Sequence, residues 1–359
     1  MAAIKEGAAD YFRPPIDLLD VAGAVRRSMA SRSAQAMRGF QSESLPGSHP
    51  IIGESPSIRE LRGYLLKVAQ RECNALILGE TGTGKDLIAE TIHLNSPRRG
   101  KPFISVNCAA IPDTLLESEL FGYEKGAFTG AEAPMQGKIR QADGGTLFFD
   151  EIGDMTPYAQ AKILRVIESK QIQRLGGKAA IQVNIRIVAA TNQDLPKLIS
   201  EHRFRKDLYF RLHVAQIQVL PLRERREDIV PLLYHYVDIF NRQTGSRVEG
   251  FTPQALHRLQ DYDWPGNVRE LRSLVESVFI DPPYLSIDER HLPLPGTSLL
   301  YPAEDANDRD RLLEALKITH WNKSKAAERL HWSRMKIYRR LAHYQIEEST
   351  DDVLAAQAR

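Results

Sequence analysis

The octapeptide Gly79-Glu80-Thr81-Gly82-Thr83-Gly84-Lys85-Asp86 lies between the apolar run Ala75-Leu76-Ile77-Leu78 and the helix-forming segment Leu87-Ile88-Ala89-Glu90-Thr91-Ile92. Strand, glycine loop and helix in that order restrict the chain to a narrow set of folds. Glycines let consecutive N–H groups turn inward without Cβ clashes, the helix aims its positive end at the same point, and Lys85 adds a mobile cation. A nucleoside triphosphate suits that cradle. A second strand, Gly144-Gly145-Thr146-Leu147-Phe148-Phe149-Asp150-Glu151, ends in paired acids, which a glycine turn that binds nothing leaves unexplained. In phosphate-loop enzymes the first acid helps to hold Mg²⁺ and a neighbouring carboxylate polarises water, so Asp150 is the candidate metal ligand and Glu151 the candidate base. Asp86 stands where a Ser or Thr hydroxyl normally meets the metal, so Mg²⁺ is expected to rely on Asp150, water and phosphate.

Alternation of apolar strands with helices continues around 75–78, 103–106, 146–150, 185–190 and 217–220, which argues for an α/β parallel sheet covered by helices. Ligands of such sheets bind at the strands' C-terminal ends, where Gly79, Asp150 and the pair Thr191-Asn192 all fall. Thr156-Pro157 reads as a helix cap followed by Pro at the first helical position. Strands stop after residue 222, and helices around 229–240, 253–259 and 268–279 form a smaller helical subdomain. Residues 282–307 are rich in proline and read as a linker, as does the Ser- and Gln-containing segment 31–49.

With 359 residues, the chain can hold two or three domains. It has no apolar run of membrane-spanning length and no signal-peptide pattern, which points to a cytoplasmic protein without a membrane partner. Cys73 and Cys108, the only cysteines, both adjoin apolar strands and are expected as core thiols. The net charge of +2 decides little, but its distribution is informative. Between Arg329 and Ile346 there are five Lys and Arg residues and no acid, on the second of two short helices joined by a tight turn. That is the pattern of a helix-turn-helix, with a positive field suited to double-stranded DNA.

The run Glu119-Leu120-Phe121-Gly122-Tyr123-Glu124-Lys125-Gly126-Ala127-Phe128-Thr129-Gly130-Ala131 contains residues no generic ATPase needs. It resembles the surface loop of the bacterial enhancer-binding proteins, the AAA+ activators of sigma-54 RNA polymerase, over residues 50 to 345 of the chain. The resemblance implies an ATPase that binds upstream DNA and remodels sigma-54 polymerase, with ATP and Mg²⁺ as cofactors and a homo-oligomeric, hexameric ring as the working form. It implies that Gly126, Ala127, Phe128, Thr129, Gly130 and Ala131 contact the sigma factor. Gly79, Glu80, Thr81, Gly82, Thr83, Gly84, Lys85 and Asp86 would hold the phosphates, and Ile52 would line the adenine site. Asn107 would hydrogen-bond the catalytic Glu151, Thr191 and Asn192 would sense the γ-phosphate, and Arg269 in Trp264-Pro265-Gly266-Asn267-Val268-Arg269 would face nucleotide as a second sensor. Arg205 and Arg211, in Phe204-Arg205-Lys206-Asp207-Leu208-Tyr209-Phe210-Arg211-Leu212, resemble the family's arginine fingers, which act in a neighbouring subunit. Residues 171–185 fall where the family has a second mobile loop.

The C-terminal pattern resembles the Fis-type DNA-binding domain, with Ser333, Arg334, Lys336, Arg339 and Arg340 as DNA contacts and His331 where Gly is common. Residues 3–14 resemble the last part of a response-regulator receiver, and the part that would carry a phosphorylated Asp is not in this sequence. The expected organisation is a receiver remnant at 1–30, linker 31–49, an AAA+ α/β subdomain at 50–222, a helical lid at 223–281, linker 282–307, the helix-turn-helix at 308–346 and a tail at 347–359. A rival remains open at this stage: a DNA-binding regulator whose ATPase domain is inert and serves assembly alone.

Overall fold

The computed structural model describes residues 50–283, 285–293, 308–319 and 321–330, with positions 332, 337, 341, 344 and 346. The expected receiver remnant at 1–30 and the linker at 31–49 lie outside the described residues. The chain divides into two compact units, one comprising Glu43–Asp228 and Asp263–Arg269, the other including Ile229–Tyr262 and residues from Glu270 onward.

The first unit runs α1 (Pro56–Ala69), β1 (Ala75–Leu78), α2 (Lys85–Leu94), β2 (Phe103–Asn107), α3 (Asp113–Phe121), β3 (Gly122–Tyr123), β4 (Met135–Gln136), α4 (Lys138–Gln141), β5 (Thr146–Asp150), α5 (Pro157–Ser169), β6 (Gln171–Gln173), β7 (Ala180–Gln182), β8 (Arg186–Thr191), α6 (Leu195–Ser200), α7 (Lys206–Leu212) and β9 (Ala215–Gln218). Five strands form one sheet in the order β2-β5-β8-β1-β9, and every neighbouring pair is parallel. Successive side chains of a strand leave opposite faces of a sheet. Leu76, Leu147, Phe149, Ile187 and Ala189 accordingly join one core, and Ala75, Ile77, Phe148, Val188, Ala190 and Ile217 the other. A sheet buried on both faces reads as unbroken apolar runs, which is why β1, β5 and β8 stand out in the sequence. Each large apolar side chain so buried contributes about 1.5–3 kcal/mol relative to exposure.

The last strand sits two residues earlier than the apolar run at 217–220 implies, at Ala215–Gln218, with Ala215 and Ile217 buried and Gln216 and Gln218 exposed. Val219 still donates to the Leu78 carbonyl at 2.8 Å, but Pro221 has no N–H with which to extend the ladder. Helix starts follow their caps: Ser55, Thr156 and Thr252 each accept from a backbone N–H of the first turn and precede Pro56, Pro157 and Pro253.

In the second unit, α8 (Ile229–Thr244), β10 (Gly250–Phe251), α9 (Pro253–Asp261) and α10 (Asn267–Val278), whose first residues belong to the first unit, are followed by β11 (Ser286–Ile287). The linker expected from residue 282 is corrected over 285–293. Ser286 and Ile287 pair in parallel with β10, a 3-10 turn runs Glu289–His291, and Ile287 and Leu292 are fully buried. Proline breaks long elements but leaves room for a two-residue strand and a single turn closed by the Asp288 capping box. Helices α11 (Asp308–Ile318) and α12 (Lys323–Leu330) share a small core of Leu312, Ala315, Leu316, Ala326, Ala327 and Trp332. The predicted second helix of the helix-turn-helix falls almost wholly outside the described residues. Among the described residues no helix is long and apolar enough to cross a membrane.

Candidate functional site

Strands β1, β5 and β8 are adjacent, and their C-terminal ends deliver Gly79, Asp150-Glu151 and Thr191-Asn192 to one place. Gly82 and Gly84 have φ of +79° and +96°, a region that side chains rarely adopt. At Gly82 space also excludes a side chain, since a Cβ would lie 2.3 Å from the Gly266 carbonyl oxygen. Gly84 is the N-cap of α2 and makes no side-chain cap bond, so the first N–H groups of the helix are open to an anion.

Lys85 is buried, its Nζ donating to the Gly79 carbonyl at 3.0 Å and lying 3.2 Å from Glu151 Oε1. Glu151 itself takes a left-handed conformation, φ +51°, and its Oε2 accepts from the Asn192 backbone N–H at 3.0 Å. The Asn192 side chain donates to Thr81 Oγ1 at 2.8 Å. Burial, followed by the adjacent Glu151 charge, raises the Asp150 carboxyl above its ordinary pKa, with Lys85 pulling the other way. Asp86, exposed at the start of α2, adds to the same negative field.

Asn107 differs from expectation. Its Nδ2 donates to Asp150 Oδ2 at 3.2 Å, not to Glu151, while its Oδ1 accepts from the N–H groups of Ala109 and Ala110. The register of β2 on β5 pairs Asn107 with Asp150, and the left-handed turn at the next residue carries Glu151 away towards Lys85 and Asn192. Ile52 is half-buried in a segment whose next residues are tied down, the N–H groups of Glu54 and Ser55 both donating to buried Asp228. The Arg269 N–H donates to the Gly82 carbonyl at 3.2 Å.

Sequence reading passed over two neighbours of the phosphate loop. Arg223 grips Glu80 with two hydrogen bonds of 2.8 and 2.5 Å, and that hydrogen bonding, then Asn267's, lowers the Glu80 pKa to about 2. Asn267, fully buried, donates to Glu80 Oε2 and the Thr81 carbonyl and accepts from the Leu222 N–H. The only signal available was its place in a Pro-Gly-Asn turn, which reads equally well as a helix cap.

Arg205 pairs with Asp207 and Arg211 with Glu168, both pairs exposed. Among the described residues neither arginine bonds the phosphate loop of its own chain. The segment Gly126–Ala131 emerges from the antiparallel pair β3–β4 and is closed by the Gly126 N–H on the Ala131 carbonyl at 2.8 Å. Phe128 is 45% exposed and touches the Tyr123 ring edge-on, while Thr129 is exposed. The hairpin β6–β7 approaches the same loop: Arg174 pairs with Glu124 at 2.9 Å, and Tyr123 bridges Leu175. Cys108 is buried, which pushes its thiol up to about 12, and Cys73 is half-buried, both unpaired. Ser333, Arg334, Lys336, Arg339 and Arg340 lie outside the described residues.

Residues 51–218 match the sigma-54 interaction domain, 223–298 the AAA+ ATPase lid domain and 307–344 the bacterial regulatory protein, Fis family. The chain is 41% identical to the transcriptional regulatory protein ZraR of Escherichia coli over 349 residues, covering 95% of this chain and 78% of that protein. It is 37% identical to the DNA-binding transcriptional regulator NtrC of Klebsiella pneumoniae over 383 residues, covering 97% and 81%. The crystal structure of NtrX from Brucella abortus in complex with ATP superposes with a TM-score of 0.63 at 32% identity, covering 95% of this chain and 79% of that one. The chain belongs to the sigma-54-dependent transcriptional activators, joining a sigma-54 interaction domain of AAA+ fold to a Fis-type helix-turn-helix through which it binds DNA.

Proposed function

We propose that this activator hydrolyses ATP at the strand ends of β1, β5 and β8, and that hydrolysis drives remodelling of sigma-54 polymerase. The observation that carries the reading is the meeting of Lys85, Glu151 and Asn192 around the loop Gly79–Gly84. The N–H groups of the loop and of the first turn of α2 bind the phosphates, Lys85 neutralises them, and Ile52 packs on the base. Glu151 takes a proton from the attacking water. Asn192, held between Glu151 and Thr81, orients that water's surroundings according to whether the terminal phosphate is present. Mg²⁺ suits a site of this chemistry: Asp150 offers a hard carboxylate oxygen beside Asp86, and the remaining positions fall to phosphate and water. Bound there, the ion would supply positive charge against the transferring phosphoryl group, with Asp150 holding it.

Arg205 and Arg211 act in a neighbouring subunit's site, so the active species is a homo-oligomer, proposed as a hexameric ring. The exposed Phe128 and Thr129 at the tip of the loop Gly126–Ala131 contact the sigma factor. Arg334, early in the basic stretch of the sequence, meets base edges. Ser333, Lys336, Arg339 and Arg340 position the helix on phosphate. Specific ATPase rate measured across protein concentration, with and without sigma-54, tests the reading. The rate should rise steeply with concentration. An ATP-bound chain that hydrolyses nothing at any concentration would establish an assembly-only ATPase fold.

A further inference from the structure

Asn267 is completely buried, carries a φ of +52°, and uses both side-chain N–H donors and its carbonyl oxygen in hydrogen bonds. Its Oδ1 accepts from the Leu222 N–H at 2.7 Å, and its amide donates to the Thr81 carbonyl at 3.1 Å and to Glu80 Oε2 at 3.2 Å. The next carbonyl of the loop, Gly82, is held by the Arg269 N–H. In a planar trans peptide the C=O and the following N–H point in opposite directions. Holding the Thr81 carbonyl on the side of the Pro265-Gly266-Asn267 turn therefore turns the Gly82 N–H to the other side, where an anion would lie, while the Thr83 N–H donates to the Glu80 carbonyl at 3.4 Å. Glu80 is an acid inside a loop shaped for anions, and unrestrained it would repel one. Arg223 binds both of its oxygens, so the carboxylate is neutralised and held where Asn267 also reaches it.

We propose that Asn267 and Arg223 are positioning residues that keep the phosphate loop open for a triphosphate: Asn267 by fixing the loop's peptide planes, Arg223 by neutralising the Glu80 carboxylate. Neither touches the nucleotide, and the proposal rests on the ATP site described above. It assigns a task to Asn267 that a helix cap would not have, since the side chain binds residues 45, 186 and 187 positions away in sequence.

Calorimetric titration of the full chain with inorganic tripolyphosphate and with ATP, at fixed magnesium, tests it. Arg223→Met should weaken both ligands by about tenfold or more. Adding Glu80→Gln to that variant should recover most of the loss, because the unneutralised carboxylate is gone. Asn267→Asp, nearly the same shape, removes both donors and places a second carboxylate beside Glu80, so its loss should be larger. A purely structural role would lower the melting temperature and would not be reversed by neutralising Glu80. Arg223→Met binding both ligands within about twofold of wild type overturns the proposal, and so does a loss that Glu80→Gln leaves unrepaired. If Asn267→Asp fails to fold, Arg223→Met decides alone, since Arg223 is only partly buried. A wild-type chain that binds neither ligand overturns the nucleotide reading itself, whereas normal wild-type binding with unaffected variants overturns this proposal only.

Discussion

Lys85 Nζ lies 3.2 Å from Glu151 Oε1, so the cation of the phosphate loop and the carboxylate assigned to water activation are paired with each other. On the proposed reading, a bound triphosphate competes with Glu151 for Lys85, and the carboxylate so released is available as a base.

Two substitutions separate these duties. Glu151→Gln removes the competing anion, so ATP affinity should stay at or rise above the wild-type value while single-turnover hydrolysis falls by about 10²–10⁴-fold. Lys85→Ala should weaken ATP binding itself. Glu151→Gln hydrolysing at the wild-type rate would remove Glu151 from the role of base.

The arginine pair gives a test by mixing. Arg205 and Arg211 are engaged locally by Asp207 and Glu168 and lie on or beside α7, exposed. Arg205→Ala and Arg211→Ala should each retain ATP binding and lose on the order of a thousandfold in hydrolysis, by analogy with arginine fingers supplied in trans. Glu151→Gln subunits, inactive alone, should restore turnover to Arg211→Ala subunits by donating intact fingers. Mixtures that stay silent at every ratio would place these arginines outside the subunit interface.

Thr129 is exposed in the segment Gly126–Ala131 and belongs neither to the phosphate loop nor to the paired acids. Thr129→Ala should therefore keep ATPase activity while losing sigma-54-dependent open-complex formation, read by permanganate footprinting of the promoter. Normal promoter opening would leave the loop with a structural role alone.

What the sequence made legible follows from how far apart the interacting residues are. Strands β1 and β5 were readable to the residue because a doubly buried strand is a continuous apolar run, and Thr156-Pro157 announced α5 through a cap within one turn. The glycine loop and the paired acids were readable because each is a local motif. Asn267 and Arg223 were not, because their partner Glu80 is 187 and 143 residues away and nothing local marks the pairing. Asn107 was placed correctly at the end of β2, but its partner depended on the left-handed turn at Glu151, which brings Asp150 rather than Glu151 within reach. Residues 286–291 escaped because two-residue strands and single turns leave no periodicity to detect.

His93, near the end of α2, is buried with Nδ1 2.9 Å from Thr146 Oγ1 and its ring 5.2 Å from that of Phe103. Burial, the largest influence, pushes its imidazole below the ordinary value of 6.5. A pKa lower in the folded state means that the unfolded chain takes up the proton first as pH falls. The corresponding stability is present above the unfolded pKa and is lost as pH drops through 6.5 towards the folded value. His93→Gln removes the titrating group, at a cost of about 1 kcal/mol if its hydrogen bond to Thr146 is lost. Melting temperatures of the two proteins, measured from about pH 7.5 down to about pH 5, should converge as the wild type loses its advantage. A constant gap across that range would show that His93 takes no part in the acid response.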